Sequence, residues 1–215
     1  MQRRLITLRH KERIDDILLL LEHPPTITLG RFAHLEHIHV TPDELRRRGI
    51  VLYSSDRAGE ATFHCPGQMV VYPIMDIRYR AGRLREYLHK IEEVALQILA
   101  RFDINAERLP EHPGIWKDGE QIAAIGLLLS RGVTMHGFSL NVNPNLDDFD
   151  LINLCGLPGK KATSISKLLG CEVNMNDVFK YTEDVFSSVF GVDLETITSE
   201  QVMGDSYAEE SAGVV

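Results

Sequence analysis

Leu84, Tyr87, Leu88, Ile91, Val94, Ala95, Ile98, Leu99 and Phe102 recur at three- and four-residue steps between Arg83 and Phe102. That spacing predicts one long helix with a single buried stripe, and it is the clearest element in the chain. A second amphipathic helix is predicted over Asp177–Phe190. Val178, Phe179, Val185, Phe186, Val189 and Phe190 face inward there, and Gly191 stands where a helix C-cap belongs. Between and before the helices the pattern changes to strands. Asp16–Thr28 reads as apolar strands broken at Pro24-Pro25, and Ile50–Ser54 and Met69–Met75 read as two more. Gln121–Leu129 and Val133–Val142 form a predicted hairpin about Ser130-Arg131-Gly132. Thr41-Pro42-Asp43-Glu44 has the form of a capping box with proline at the first helical position, opening a short helix to Arg48.

Strands that interleave with helices and hairpins predict an α/β or α+β class with a mixed β-sheet and flanking helices. Residues 1–156 are expected to form the main domain, 157–198 a small helical part of the same domain, and 199–215 a disordered tail. With 44% hydrophobic and 25% charged residues, the composition is that of a soluble globular protein. Its longest aliphatic run, Ile17–Leu21, is too short to span a bilayer, and no secretory leader follows the basic start. A cytoplasmic location with no membrane association is therefore expected. A net charge of −8 argues against nucleic acid as a partner. Arg78, Arg80, Arg83, Arg85 and Lys90 still gather locally. They form either a solvated helix start or a landing site for an acidic protein.

Cys65, Cys155 and Cys171 are widely spaced and contain no CxxC pair, which argues against a disulfide framework and a zinc site but leaves room for one reactive thiol. Cys155 precedes glycine in Ile152-Asn153-Leu154-Cys155-Gly156-Leu157-Pro158-Gly159, an open bend where a thiol can meet a bulky acyl group. A free cysteine is also a common small core residue. Cys65 stands on another open turn, and Cys171 reads most simply as structural. The polar loop Arg57-Ala58-Gly59-Glu60-Ala61-Thr62-Phe63-His64-Cys65-Pro66-Gly67-Gln68 joins two strands and carries donors suited to a ligand. It equally reads as a polar turn with a capping His. Ile122-Ala123-Ala124-Ile125-Gly126 leaves a groove on its strand, for an alkyl chain or for tight packing, and Met135-His136-Gly137-Phe138-Ser139-Leu140-Asn141 pairs with it across the hairpin.

In order and spacing, Glu22–Gly30, Arg57–Gln68, Ile122–Gly126, His136–Asn143 and Ile152–Gly156 resemble the lipoyl(octanoyl) transferases, the octanoyl-[acyl-carrier-protein]:protein octanoyltransferases. The resemblance runs from about Ile17 to Gly170. It implies a biotin/lipoate protein ligase-like fold. The implied reaction moves octanoyl from octanoyl-acyl carrier protein to a lysine of lipoyl domains, those of 2-oxoacid dehydrogenases and the glycine cleavage H protein, without cofactor or metal. Cys155 would carry the acyl group as a thioester. Residues 57–64 (Arg57, Ala58, Gly59, Glu60, Ala61, Thr62, Phe63 and His64) would bind substrate, with Ala124, Ile125, Gly126, Gly137, Phe138 and Ser139. Related chains carry another strand-helix segment before the region matching Gln2–Arg13, so the beginning is expected to be short.

Three positions depart from the family pattern. Arg57-Ala58-Gly59 stands for Arg-Gly-Gly, and His64-Cys65-Pro66-Gly67-Gln68 for His-Gly-Pro-Gly-Gln. Gln121 stands where the family's catalytic lysine lowers the thiol pKa and shuttles protons. Glutamine can donate hydrogen bonds but cannot act as an acid or base at neutral pH. Lys117, Lys160, Lys161, His64 and His136 are the substitutes left open. Two alternatives stand beside octanoyl transfer: an amidotransferase between lipoyl domains, and a catalytically weak acyl- or lipoyl-domain-binding protein. An ATP-dependent ligase would need no cysteine nucleophile, and the chain carries no convincing nucleotide-phosphate loop.

Overall fold

The computed structural model describes residues 1–79, 83–110, 112–198 and 201–202. Its first element, helix α1 (Gln2–His10), has no counterpart in the sequence expectations. It buries Leu5 and Ile6 in a small cluster with Ile74, Val133 and Met135. Strands β1 (Ile17–Leu21) and β2 (Thr26–Leu29) follow, separated at Pro24-Pro25 as their missing backbone donors require. Helix α2 (Pro42–Arg47) begins as expected, with Thr41 Oγ1 accepting from the Glu44 backbone N–H at 3.2 Å. The Glu44 carboxylate turns to Arg47 and Arg48 rather than back to the cap.

Strand β3 (Val51–Ser54) is followed by β4 (Ala61–His64), which lies inside the stretch 56–68 expected to be all loop. Ala61-Thr62-Phe63-His64 does alternate, but over four residues only, too few to stand out from the polar loop around them, and Ala61 and Phe63 are buried. After β5 (Gln68–Ile74) comes the long helix α3 (Leu84–Ala100). Tyr87, Ile91, Val94, Ala95, Ile98 and Leu99 are completely buried on it. Each of the large aliphatic side chains contributes about 1.5–3 kcal/mol by leaving water. Leu84, at the first turn, is exposed instead. Strands β6 (Glu107–Leu109), β7 (His112–Lys117), β8 (Glu120–Ser130) and β9 (Val133–Asn141) complete the sheets. Helices α4 (Ile165–Leu169) and α5 (Met175–Phe190) follow, and Gly191 takes the left-handed cap.

The fold is α+β with two sheets. A six-stranded antiparallel sheet has the order β1-β5-β9-β8-β7-β6, and a three-stranded sheet has the order β3-β2-β4. The expected mixed pairing is realised in the smaller sheet, where β2 runs parallel to β3 and antiparallel to β4. Helices α3 and α5 cover the large sheet in one apolar core. The small sheet closes over a second core with Leu45, Phe149, Leu151, Ile152 and Leu154. In the large sheet Gly126 pairs with Gly137 and Ala124 with Ser139, so the small residues of β8 and β9 meet side by side. Of the expected basic cluster, Arg80 lies outside the described residues, as does residue range 199–215 apart from 201–202.

Candidate functional site

A cavity of about 290 Å³ opens between the two sheets. One wall is built from Ala124, Ile125 and Gly126 on β8 and Gly137, Phe138 and Ser139 on β9. The opposite wall comes from Arg57, Thr62 and His64, with Thr28 of β2 beside them. His23, Tyr53, Tyr72, His136 and Gln2 also line it. A smaller recess adjoins it and shares Thr62, Ala124 and Ser139 with it. This recess is lined in addition by Ala61, Phe63, Gln68, Gln121 and Cys155. Of the expected substrate-binding residues, Ala58, Gly59 and Glu60 line neither space. They fix the wall from behind. Ala58 N–H donates to the Leu127 carbonyl at 2.9 Å, and Glu60 accepts from His37 Nδ1 at 3.2 Å. Gly59 carbonyl lies so close to Gly30 that a Cβ there would approach to 2.2 Å.

Arg57 organises the polar wall. Its guanidinium is buried and donates to Thr28 Oγ1 (3.0 and 2.9 Å), the Thr28 carbonyl (2.6 Å) and the Glu60 carbonyl (2.7 Å). Burial pulls its pKa down to about 10, so it remains a cation at neutral pH.

Cys155 lies in a short 3-10 turn, Leu154–Gly156, with φ 53° and ψ 26°. That left-handed conformation is uncommon for a residue with a Cβ and costs of order 1–3 kcal/mol. Gly156 follows at φ 70°, and a Cβ there would come to 3.0 Å from Glu60 Cγ. The turn is held because Asn153 N–H donates to the His37 carbonyl and Ile152 bridges to Ile38. The Cys155 thiol is half-buried. Gln121 Nε2 lies 3.0 Å from Sγ, and the Pro113 carbonyl lies 3.8 Å from it. Burial pushes the thiol pKa up. The Gln121 hydrogen bond and the Arg57 charge pull it back, Glu60 opposes them, and the balance stays above the ordinary value.

Cys65, the rival on the second turn, is buried with its thiol pushed up to about 12, again by burial. Cys171 is exposed, and all three cysteines are free. The lysines left open as activators are occupied elsewhere. Lys117 pairs with Asp118, Lys161 pairs with Asp150 at 2.7 Å, and Lys160 stacks over the Trp116 ring. His136 binds Asp56 through Nε2 at 2.9 Å, and Asp56 also takes Arg3 at 2.9 Å.

A family model described as the lipoyl protein ligase A/B catalytic domain matches residues 1–187. The chain belongs to this family. It is 43% identical to an octanoyltransferase of Desulforamulus reducens over 203 residues, covering 94% of this chain and 89% of that protein. An octanoyltransferase of Chloroflexus aggregans is 46% identical over 181 residues, or 83% of this chain and 82% of the relative. Among solved structures, a putative lipoate protein ligase from T. acidophilum with bound lipoic acid covers 97% of this chain and 90% of its own, with TM-score 0.72 at 15% identity. A lipoate-protein ligase A bound with ATP covers 91% of this chain and 80% of its own, with TM-score 0.71 at 18% identity. At those identities the structures show the fold, which is the lipoate ligase fold expected from the resemblance.

Sequence reasoning missed several residues of the cavity. His23 was within a quoted motif but drew no role. Tyr72, a polar-tipped residue inside an apolar strand, was the available signal on β5, and its hydroxyl lies 3.0 Å from His23 Nε2. Gln2 had no signal, because α1 itself was unmarked. Its Oε1 accepts from the His136 backbone N–H at 2.7 Å and brings the N-terminal helix to the cavity.

Proposed function

We propose that Cys155 accepts an octanoyl group from the thioester of octanoyl-acyl carrier protein and passes it to a lysine of lipoyl domains. The chain is an acyltransferase of the octanoyltransferase group, as its relatives' shared name and near full-length match support. The observation that carries the cysteine assignment is the Gln121–Cys155 contact in the wall of a recess that shares Thr62, Ala124 and Ser139 with the larger cavity. In the first step the sulfur attacks the donor's thioester carbonyl, the donor's C–S bond breaks, and the carrier thiol leaves with the proton. In the second step a lysine amine attacks the new thioester, the amide forms, and Cys155 sulfur is released. Arg57 and the Gln121 amide stabilise sulfur while it carries negative charge. The cavity lies at the small end of ligand sites, which run from about 300 to 1,000 Å³, and suits one slim chain.

The acceptors are lipoyl domains of 2-oxoacid dehydrogenases and of the glycine cleavage H protein, and the location is the cytoplasm. Three free cysteines and the absence of a membrane-crossing helix among the described residues fit that location. Incubation with octanoyl-carrier protein followed by intact-mass measurement tests the assignment. One octanoyl adduct should form, persist in Cys65→Ser and Cys171→Ser, and vanish in Cys155→Ser. Acylation that survives in Cys155→Ser overturns it. Acyl loading from an octanoylated lipoyl domain but not from carrier protein would favour the amidotransferase instead.

A further inference from the structure

The protonation of His64 can be read from its neighbours. Gln68 Nε2 donates to the Phe63 carbonyl at 3.2 Å and to Asn141 Oδ1 at 2.9 Å. Asn141 is itself oriented, because its Nδ2 donates to the Thr163 carbonyl at 3.0 Å. Two carbonyl acceptors at the ends of this chain therefore fix both amides. Gln68 Oε1 is left as the atom 2.8 Å from His64 Nδ1. Amide oxygen only accepts, so Nδ1 carries the hydrogen, and Nε2 of the neutral ring keeps its lone pair. Among the described residues Nε2 has no hydrogen-bond partner. Among the described residues the buried side-chain nitrogen or oxygen atom lacking a partner is Thr163 Oγ1, so His64 Nε2 opens onto the cavity that His64 lines.

This arrangement answers a need of the second step above. The amine that attacks a thioester must lose a proton, and Gln121 cannot take it. Lys117 and Lys161 are engaged with carboxylates, and Lys160 with an aromatic face. His23 and His136, the other cavity histidines, have their Nε2 atoms against Tyr72 and Asp56. We propose that His64 Nε2 is the base that receives the proton of the acceptor lysine amine, with Gln68 and Asn141 as positioning residues that hold its tautomer.

The proposal rests on the cysteine thioester of the function proposed above. In the step, the amine nitrogen bonds to the acyl carbon and the carbon–sulfur bond breaks. Its electron pair stays on Cys155 sulfur, and the amine proton passes to Nε2. Neutral imidazole and neutral amine thus become imidazolium and thiolate, and charge balances. Burial, reinforced by the charge of Arg57, keeps the His64 pKa down at about 4 despite the Gln68 hydrogen bond. The ring is accordingly neutral through the physiological range and returns its proton promptly to sulfur or water.

The test uses the full chain, acylated at Cys155 by octanoyl-carrier protein and then mixed with a lipoyl domain or with hydroxylamine. Hydroxylamine is uncharged at neutral pH and needs little help from a base. Whatever His64→Ala costs loading and discharge to hydroxylamine by altering the cavity wall, transfer to lysine should fall about 100-fold or more beyond it. Unchanged transfer to lysine, or equal losses with both nucleophiles, overturns the proposal. Failure of the native enzyme to form any acyl-Cys155 would instead overturn the thioester reading, and the proposal with it. Gln68→Glu should raise the proton affinity of His64 and move the acid limb of lysine transfer to higher pH. An unmoved limb removes Gln68 from its role. The nitrogen-15 spectrum of labelled histidine in the native protein should show His64 protonated at Nδ1. Protonation at Nε2 overturns the proposal however the variants fold.

Discussion

Gln121 Nε2 lies 3.0 Å from Cys155 Sγ, so a neutral amide is the immediate hydrogen-bonding neighbour of the thiol. The contact is built into the backbone. Gln121 N–H donates to the Lys161 carbonyl, and its own carbonyl accepts from Thr163 N–H, both at 2.9 Å. The chain thus leaves β8, forms β9, turns through Cys155 and returns to lie parallel to Gln121 at Ala162.

Gln121→Lys should therefore place an ammonium beside the sulfur. The Pro113 carbonyl, which already neighbours both side chains, would accept one of its hydrogens. The native thiol, held above its ordinary pKa, should alkylate slowly at neutral pH and faster as pH rises into the alkaline range. In the lysine variant the profile should shift to lower pH, and each unit corresponds to about 1.4 kcal/mol of added thiolate stabilisation. Iodoacetamide labelling of Cys155 across pH in both proteins measures this. Coincident profiles would show that Arg57 and the amide already supply all the stabilisation the site can use.

Arg57 is the cation whose charge acts on Cys155. Arg57→Met should raise the thiol pKa further. It should also destabilise the fold, because the carbonyls of Thr28 and Glu60 lose donors at a cost of about 1–3 kcal/mol each. Arg57→Lys separates the two effects. It keeps the charge while losing the fork, so denaturant midpoints should fall in both variants but the alkylation profile should move mainly in Arg57→Met. A profile that moves equally in both would tie the thiol to the loop geometry rather than to charge.

Local pattern made the long elements legible, because the helical stripe of α3 and the apolar runs of β8 and β9 about the Ser130-Arg131-Gly132 turn are local properties. Strand β4 was hidden because its alternation of polar Thr62 and His64 with buried Ala61 and Phe63 lasts only four residues, inside a stretch rich in turn residues. Helix α1 was hidden because Arg3, Arg4 and Arg9 outnumber its two buried residues. The residues that meet at Cys155 come from Pro113, Gln121 and Glu60, which are far apart in sequence, and no spacing rule joins them. Cys65 shows the converse failure. Its Pro-Gly turn reads as open, yet the second core covers the thiol.

The β8 wall of the cavity is narrow. A Cβ on Gly126 would come to 3.1 Å from both the Ala58 carbonyl and Arg57 Cδ. Gly126→Leu should fill the space beside Arg57 and slow loading with octanoyl donors. In the native enzyme octanoyl should outrun butyryl strongly, since each buried CH₂ adds about 0.8 kcal/mol. Equal loading rates with four- and eight-carbon donors would show that the chain does not enter this cavity.

The basic patch is weaker than its residue count. Arg78 is neutralised by buried Asp76, and Lys90 lies over the Phe190 ring. Arg83 and Arg85 remain exposed at the start of α3. If these two steer acidic carrier or lipoyl domains, Arg83→Glu with Arg85→Glu should slow association at low salt and flatten its salt dependence, while Arg78→Glu does less. Stopped-flow association rates at two ionic strengths decide it, and an unchanged rate in the double variant returns both arginines to the role of a solvated helix start.

His64 also makes the fold sensitive to acid. Its ordinary pKa near 6.5 applies to the unfolded chain, whereas burial holds it at about 4 in the native state. Between those values the unfolded chain binds more protons than the native one, so stability falls as pH drops through this window. The loss begins below about pH 6.5 and is complete below about pH 4, and a separation of that size amounts to about 3 kcal/mol at 1.4 kcal/mol per unit. His23 and His136, also lowered by burial, add to the same slope. Asp56 and Asp76 are held below the carboxylate range, so their contribution is lost at lower pH and can be told apart. In His64→Gln the ring that must be kept neutral is gone. Urea midpoints measured from pH 7 to pH 4 should then fall less steeply than in the native protein, even if the variant starts from a lower value. Parallel slopes in the two proteins would mean that His64 is protonated without cost, and the neutral buried ring would have to be abandoned.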